Sequence, residues 1–197
     1  MQVTRLDAAA YRRTPWKNGG GVTVDIADAY APGAEPGSWD GMLWRLGRTQ
    51  IVEAGPFSDL SGFDRILTVI GGRGLVLEVA DGEALDVRAP FAPVRFAGED
   101  RITSRLEAGP VAVLNLIAAR GAYEIDVAIL EPNAVQPLTA DINIVYALED
   151  GVVVLNGDSF SLKADAALRI DGGGQSLRVD GRIALATVSG ARFDVNG

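Results

Sequence analysis

Residues 66–82 read Ile66-Leu67-Thr68-Val69-Ile70-Gly71-Gly72-Arg73-Gly74-Leu75-Val76-Leu77-Glu78-Val79-Ala80-Asp81-Gly82, with Leu85 and Val87 close behind. Two short runs of aliphatic and β-branched residues flank a glycine cluster. Asp81-Gly82 follows as a hairpin signal whose glycine supplies positive φ. The same order returns at 144–162: an apolar run, Glu149-Asp150-Gly151, a second run through Val152, Val153 and Val154, then Asn156-Gly157, Phe160 and Leu162. Gly74 and Gly151 lie 77 residues apart, and Gly82 and Gly157 lie 75 apart. Two turns recurring at nearly one period mark a repeated unit, here a small β-module present twice.

Outward from these blocks, nearly every apolar run is short and bounded by Gly, Asp, Pro or Asn. Strands are predicted over 22–27, 42–46, 65–70, 75–79, 84–87, 93–96, 102–106, 111–117 and 123–130. Further strands are predicted over 142–148, 152–155, 159–162, 167–170, 176–179, 182–188 and 192–195. A spacing of about ten residues indicates an all-β sandwich or barrel. Helical character is confined to 6–11, with a turn at 59–64. Residues 30–39, rich in Pro and Gly, read as a surface loop. Residues 131–137, with Pro132, Asn133 and Pro137, read as a linker. They divide the chain into 1–130, which carries the candidate pocket, and 131–197, which N-terminal strands would help to complete.

Composition removes whole classes of chemistry. The 197 residues contain no cysteine and no histidine. Disulfides, thiolate or imidazole metal sites, thiol nucleophiles and serine–histidine triads are therefore excluded. A formal net charge of −8 opposes binding to nucleic acid or an anionic membrane. No stretch approaches the ~20 apolar residues of a membrane span. No signal-peptide pattern follows the N-terminal charges, so the expected location is cytoplasmic.

The most specialised residues lie at 14–25: Thr14-Pro15-Trp16-Lys17-Asn18-Gly19-Gly20-Gly21-Val22-Thr23-Val24-Asp25. Pro15 fixes φ, the glycines admit conformations closed to other residues, and a strand pattern follows. Between them stand a large ring, a cation and an amide. Lys17 and Lys163 are the only lysines beside 16 arginines, and a compact ammonium suits one anionic atom in a small space. Either Trp16, Lys17 and Asn18 line a pocket, or Trp16 plugs the core above a tight turn while Lys17 sits in solvent.

Three further positions stand out. Residues 55–65 form a turn-rich loop that puts Asp64 and Arg65 side by side at a strand entrance, where Arg65 is a natural fork for a carboxylate. Asp64 and Arg65 could equally be a structural ion pair. On the strand 42–46, Trp44 is expected in the core and Arg45 either exposed or lining a barrel mouth. Asn115 shares a strand face with Val113 and Ile117, and an amide among apolar neighbours needs a partner in the core or in a pocket. No carboxylate pair with catalytic spacing is evident, no catalytic residue is assigned, and Gly71-Gly72-Arg73-Gly74 does not open a helix as a phosphate cradle would.

The run Pro15-Trp16-Lys17-Asn18-Gly19-Gly20-Gly21-Val22-Thr23 resembles the signature of the HutD/Ves family. So do Gly55-Pro56-Phe57-Ser58 followed by Gly62-Phe63-Asp64-Arg65, and Leu114-Asn115-Leu116 followed by Arg120. In the last of these, Val113 and Leu114 stand where the family often has Asp and Phe. The resemblance spans essentially the whole chain. It implies a bicupin: two cupin-like, double-stranded β-helix (jelly-roll) barrels in one chain. It also implies a link to bacterial histidine utilisation, moderated by binding an intermediate such as formylglutamate or urocanate. Cupins often hold a metal through histidines; without them a metal-free pocket with no cofactor is expected. The ligand-binding residues carried over are Trp16, Lys17, Asn18, Phe57, Asp64, Arg65 and Asn115. The expected partner is a small carboxylate, with a homodimer as an option. Two alternatives are an enzyme acting on a small acid through Lys17 or Asp64, and a stress-related interaction module.

Overall fold

The computed structural model describes residues 1–16 and 21–191. In the first half the strands are β1 (Gln2–Leu6), β2 (Arg12–Pro15), β3 (Val22–Tyr30), β4 (Met42–Ile51), β5 (Gly55–Pro56), β6 (Phe63–Gly71), β7 (Leu75–Val79), β8 (Leu85–Val87), β9 (Val94–Ala97), β10 (Ile102–Leu106) and β11 (Val111–Ala119). The second half adds β12 (Tyr123–Leu130), β13 (Val135–Leu138), β14 (Ile142–Ala147), β15 (Gly151–Leu155), β16 (Asp158–Leu162), β17 (Ala167–Asp171), β18 (Gln175–Asp180) and β19 (Ile183–Gly190). The helical expectation at 6–11 reduces to a 3-10 turn, Ala8–Ala10, capped by the Asp7 carboxylate. The predicted strand at 192–195 lies outside the described residues.

Both halves use one plan. Strands β6, β9 and β11 belong to a six-stranded sheet ordered β2-β3-β4-β11-β6-β9, while β7, β8 and β10 belong to a four-stranded sheet ordered β5-β10-β7-β8. Correspondingly, β14, β17 and β19 lie in the sheet β1-β17-β14-β19-β12, and β15, β16 and β18 in β13-β18-β15-β16. The repeat read from the turns is thus a six-strand unit folded twice. Among the described residues no sheet closes on itself, so the hydrogen bonding draws four open sheets instead of two closed barrels. The reason is visible in the connections: β6 to β7, β8 to β9 and β10 to β11 each pass from one sheet to the other. The facing sheets are joined by packing, not by a continuous ladder.

Three apolar layers result. Leu67, Val69, Leu75, Leu77, Ile102 and Val113 fill the first sandwich, and Val145, Val153, Leu155, Leu168, Leu177 and Leu185 fill the second. Between them the two large sheets pack back to back through Trp44, Leu46, Ile66, Leu114, Leu116, Ile144, Tyr146 and Val188. Central strands such as β6 and β11 are buried on both faces, which is why they read as unbroken apolar runs.

Both β1 and β12 fall within 1–130, yet β1 pairs with β17 and β12 with β19, in the large sheet of the second half. The segment read as a linker, 131–137, ends in the short strand β13, whose Pro137 sits on an edge where a missing donor is tolerated. The halves are also latched at Asp165. Tyr146 Oη donates to Asp165 Oδ1 at 2.5 Å, Arg48 Nη1 to Oδ2 at 2.9 Å, and Tyr11 Oη to the Asp165 carbonyl at 2.9 Å. No helix among the described residues is long and apolar enough to cross a membrane.

Candidate functional site

Three neighbouring strands of the first large sheet carry the site. Across β4, β11 and β6 the register places Arg45, Ile117 and Arg65 in one row, Gly47, Asn115 and Leu67 in the next, and Thr49, Val113 and Val69 in a third. Side chains alternate along a strand. These residues therefore face into the first sandwich, while their neighbours Trp44, Ile66, Leu114 and Leu116 face the seam behind.

The inward rows bound a cavity of about 50 Å³, completed by Trp16, Trp39, Phe57 and Leu60 among others. At roughly 10–15 Å³ per water-sized occupant, it holds about three to five non-hydrogen atoms. Gly47, in the row of Asn115, leaves room for the cavity-lining Thr23 to pack against β4. A Cβ there would lie 2.3 Å from Thr23 Cγ2 and 3.7 Å from Asp25 Oδ1.

The polar lining is dominated by two buried cations. Arg65 is 7% exposed, and its guanidinium lies between two rings, 5.1 Å from the Phe57 centroid and 4.8 Å from that of Phe96. It makes no hydrogen bond or ion pair with any described residue, and its Nε is a buried donor without a partner. Burial, and after it the charge of Arg45, pushes its pKa down to about 10. Arg45 is 3% exposed and lies 4.2 Å over the Trp39 ring. Its Nε is 3.6 Å from Asp25 Oδ1, and its Nη1 is unpaired. Burial lowers its pKa as well, against the pull of Asp25.

Asp25 is shared. Its Oδ2 accepts from Thr14 Oγ1 at 2.5 Å and from Arg12 Nη2 at 3.0 Å, and Arg12 also pairs with Asp28. Two carboxylates thus answer three guanidiniums, and Arg65 is the one left over. A buried cation without a counter-charge is expensive, and an anion entering the cavity would relieve it.

The sequence candidates separate in space. Trp16, Phe57, Arg65 and Asn115 all line the cavity. Trp16 Nε1 donates to Thr23 Oγ1 at 3.1 Å, and its ring lies so close to Gly21 that a Cβ there would come within 2.9 Å. Asn115 presents an Oδ1 without a partner. Asp64 does not join them. Adjacent strand residues point to opposite faces, and Asp64 accepts from Arg120 Nε at 2.6 Å at the exposed rim. Lys17 and Asn18 lie outside the described residues. Sequence reasoning missed Trp39, placed within a Pro/Gly loop, and Asp25, and left Arg45 between solvent and barrel mouth. A tryptophan in an otherwise small and polar loop was the available signal for Trp39. Among the described residues no cluster of three His, Cys, Asp or Glu side chains could hold a metal.

Stacked β-sandwiches with a small cationic cavity inside one of them define a cupin-like all-β protein. The HutD family model matches residues 8–187, and the chain belongs to the HutD family. HutD from Pseudomonas fluorescens SBW25 superposes with a TM-score of 0.81 at 31% identity, over 96% of this chain and 99% of that one. A conserved protein of unknown function from Pseudomonas aeruginosa PAO1 gives a TM-score of 0.84 at 29% identity, over 96% and 100%. An uncharacterized 21.2 kDa protein in the hutC 3′ region of Pseudomonas putida is 39% identical over 122 residues, 62% of this chain. That match spans 61% of the curated relative's length. Remoter cupin-like structures, at 9–12% identity and TM-scores of 0.55–0.56, share the fold alone.

Proposed function

We propose that this HutD-family chain is a metal-free bicupin whose first module binds a small carboxylate between Arg45 and Arg65. In this role it moderates histidine catabolism by sensing an intermediate such as formylglutamate or urocanate. The observation that carries the reading is Arg65: buried, flanked by two aromatic rings, and without a hydrogen bond or ion pair among the described residues. Binding sites combine apolar walls with a few convergent polar groups, and this cavity has that composition. Its volume admits the carboxylate head and little else, so the remainder of a larger acid would lie at the mouth. The family membership and the hutC neighbourhood of the P. putida relative support the metabolic setting.

The test is a thermal-shift and calorimetric screen of wild type and Arg65→Ala against formate, acetate, formylglutamate, urocanate and glutamate. A ligand that binds only the native state raises stability by about 2.7 kcal/mol at a hundredfold excess over Kd. A shift in wild type that disappears in Arg65→Ala supports the reading. No shift with any acid, or an equal shift in both proteins, overturns it.

A further inference from the structure

We infer that the anion this cavity takes carries its own hydrogen-bond donor, an O–H or N–H one or two bonds from the carboxyl carbon. α-Hydroxy and α-amido carboxylates are the class meant. The inference rests on the carboxylate reading of the same cavity and adds a second requirement to it.

The unmet polar groups around the cavity are of both kinds. Arg65 Nε and Arg45 Nη1 are donors without partners; Asn115 Oδ1 is an acceptor without one, as is Asp25 Oδ1, which lies 3.6 Å from Arg45 Nε and is answered by that charge. Of the other hydroxyls in the lining, Thr23 Oγ1 accepts from Trp16 Nε1 and Thr49 Oγ1 donates to the Val22 carbonyl at 2.8 Å, while Ser58 lies in the loop beside Phe57. A plain carboxylate offers acceptors only. It would draw both guanidiniums and leave Asn115 Oδ1 as it is, buried and unbonded. Leaving a buried acceptor unsatisfied is penalised more heavily than a made bond is rewarded. The register sets Asn115 one row from Arg45 and Arg65, opposite Gly47, over which the Thr23 methyl packs. A ligand whose carboxylate lies between the arginines therefore brings its next atom toward Asn115. With about 50 Å³ available, that donor has to be close to the carboxyl group, within the roughly three to five atoms the cavity holds.

Glycolate and propionate isolate the donor. Both are monoanionic at neutral pH and have the same number of non-hydrogen atoms, and they differ in a hydroxyl against a methyl. Calorimetry on the full chain is expected to show glycolate binding at least about tenfold tighter than propionate, as expected when a site's buried polar group is met or left unpaired. In Asn115→Leu, similar in volume but without the acceptor, the ratio is expected to fall toward one while propionate still binds.

Equal affinities in wild type overturn the donor requirement and leave the carboxylate reading standing. Binding of neither acid removes the carboxylate reading itself. A preference for glycolate that survives in Asn115→Leu overturns the role given to Asn115. Should Asn115→Leu fail to fold, the wild-type pair alone still decides whether a donor is required.

Discussion

Asp64 and Arg65 are consecutive residues of one strand and answer to different surroundings. Asp64 accepts from Arg120 at the exposed rim, while Arg65 lies between Phe57 and Phe96 beside the cavity. Their contributions to binding should differ accordingly. Arg65→Ala is expected to weaken carboxylate binding by about 2 kcal/mol or more, roughly thirtyfold, as for truncation of a buried charge partner. Asp64→Ala should change affinity by no more than about fivefold, since exposed ion pairs contribute roughly 0–1 kcal/mol. Titration calorimetry on the two variants settles the contrast, and comparable losses would place Asp64 in the site after all.

The same burial makes Arg65 a liability in the empty protein. Replacing it with methionine keeps the apolar packing against the two rings and removes an uncompensated charge. Exchanges of buried charged groups for apolar ones stabilise by about 1–4 kcal/mol in favourable cases. Arg65→Met is therefore expected to move the urea midpoint upward while abolishing ligand binding. A lower midpoint would mean that the guanidinium is satisfied in the free protein.

Gly47 tests how tightly Thr23 is packed beside the cavity. A Cβ at that position would meet Thr23 Cγ2 at 2.3 Å, and overpacking of this kind costs about 1–3 kcal/mol. Gly47→Ala should lower stability by that amount and reduce affinity. Thr23→Ser removes the offending methyl and keeps the hydroxyl that accepts from Trp16. The double variant should recover part of the loss, giving a non-additive cycle. Additive losses would show that the clash is not with Thr23.

Binding should depend on pH through Arg65. Its protonated form attracts the anion, and its pKa in the free protein is pushed down to about 10. Affinity is then fully present well below pH 10 and lost as pH rises through that value. Calorimetry from pH 7 to 10.5, with circular dichroism to confirm folding, is expected to show a plateau followed by a decline. A flat profile to pH 10.5 would contradict the depressed pKa.

Alkaline stability should respond to the Asp165 latch. Burial and the adjacent Asp165 raise the Tyr11 pKa to about 12 and hold Tyr146 higher still. A group whose folded pKa exceeds its unfolded value of 10 contributes stability that is intact below pH 10 and lost as pH rises toward the folded pKa. Arg65 acts in the opposite sense, because its folded pKa is depressed, but it is common to wild type and a tyrosine variant. Urea midpoints at pH 9 and pH 11 should therefore fall less in Tyr11→Phe than in wild type. Equal falls would detach Tyr11 from the alkaline transition.

The repeat was legible in the sequence because its turns are chemical events: Gly74 and Gly157 adopt positive φ, whereas Gly82, expected to do the same, does not and the Asp81-Gly82 turn closes without it. Arg65 and Asn115 stood out as unusual groups at a strand entrance and among apolar neighbours, Phe57 came with the family motif, and the structure brings all three to one cavity. What stayed hidden depended on tertiary placement. Arg45 follows Trp44 on a strand buried on both faces, and alternation alone does not say which face is dry. β1 and β2 are edge strands of polar, arginine-bearing sequence that no apolar pattern reveals. Period-two alternation already sets Asp64 on the strand face opposite Arg65, and the structure pairs it with Arg120 there. Whether sheets close into barrels is a matter of ladder continuity at the corners, which residue type does not encode.

The back-to-back seam has a mechanical consequence for the cavity. Each strand that sends Arg45, Arg65 or Asn115 forward also drives Trp44, Ile66, or Leu114 and Leu116 backward into the second half. The wall at the back of the cavity is thereby clamped from behind. If the cavity takes a carboxylate as proposed, room for a larger one would have to come from the front, where Trp39 and Phe57 sit on loops or strand ends, with the second module as the anvil behind.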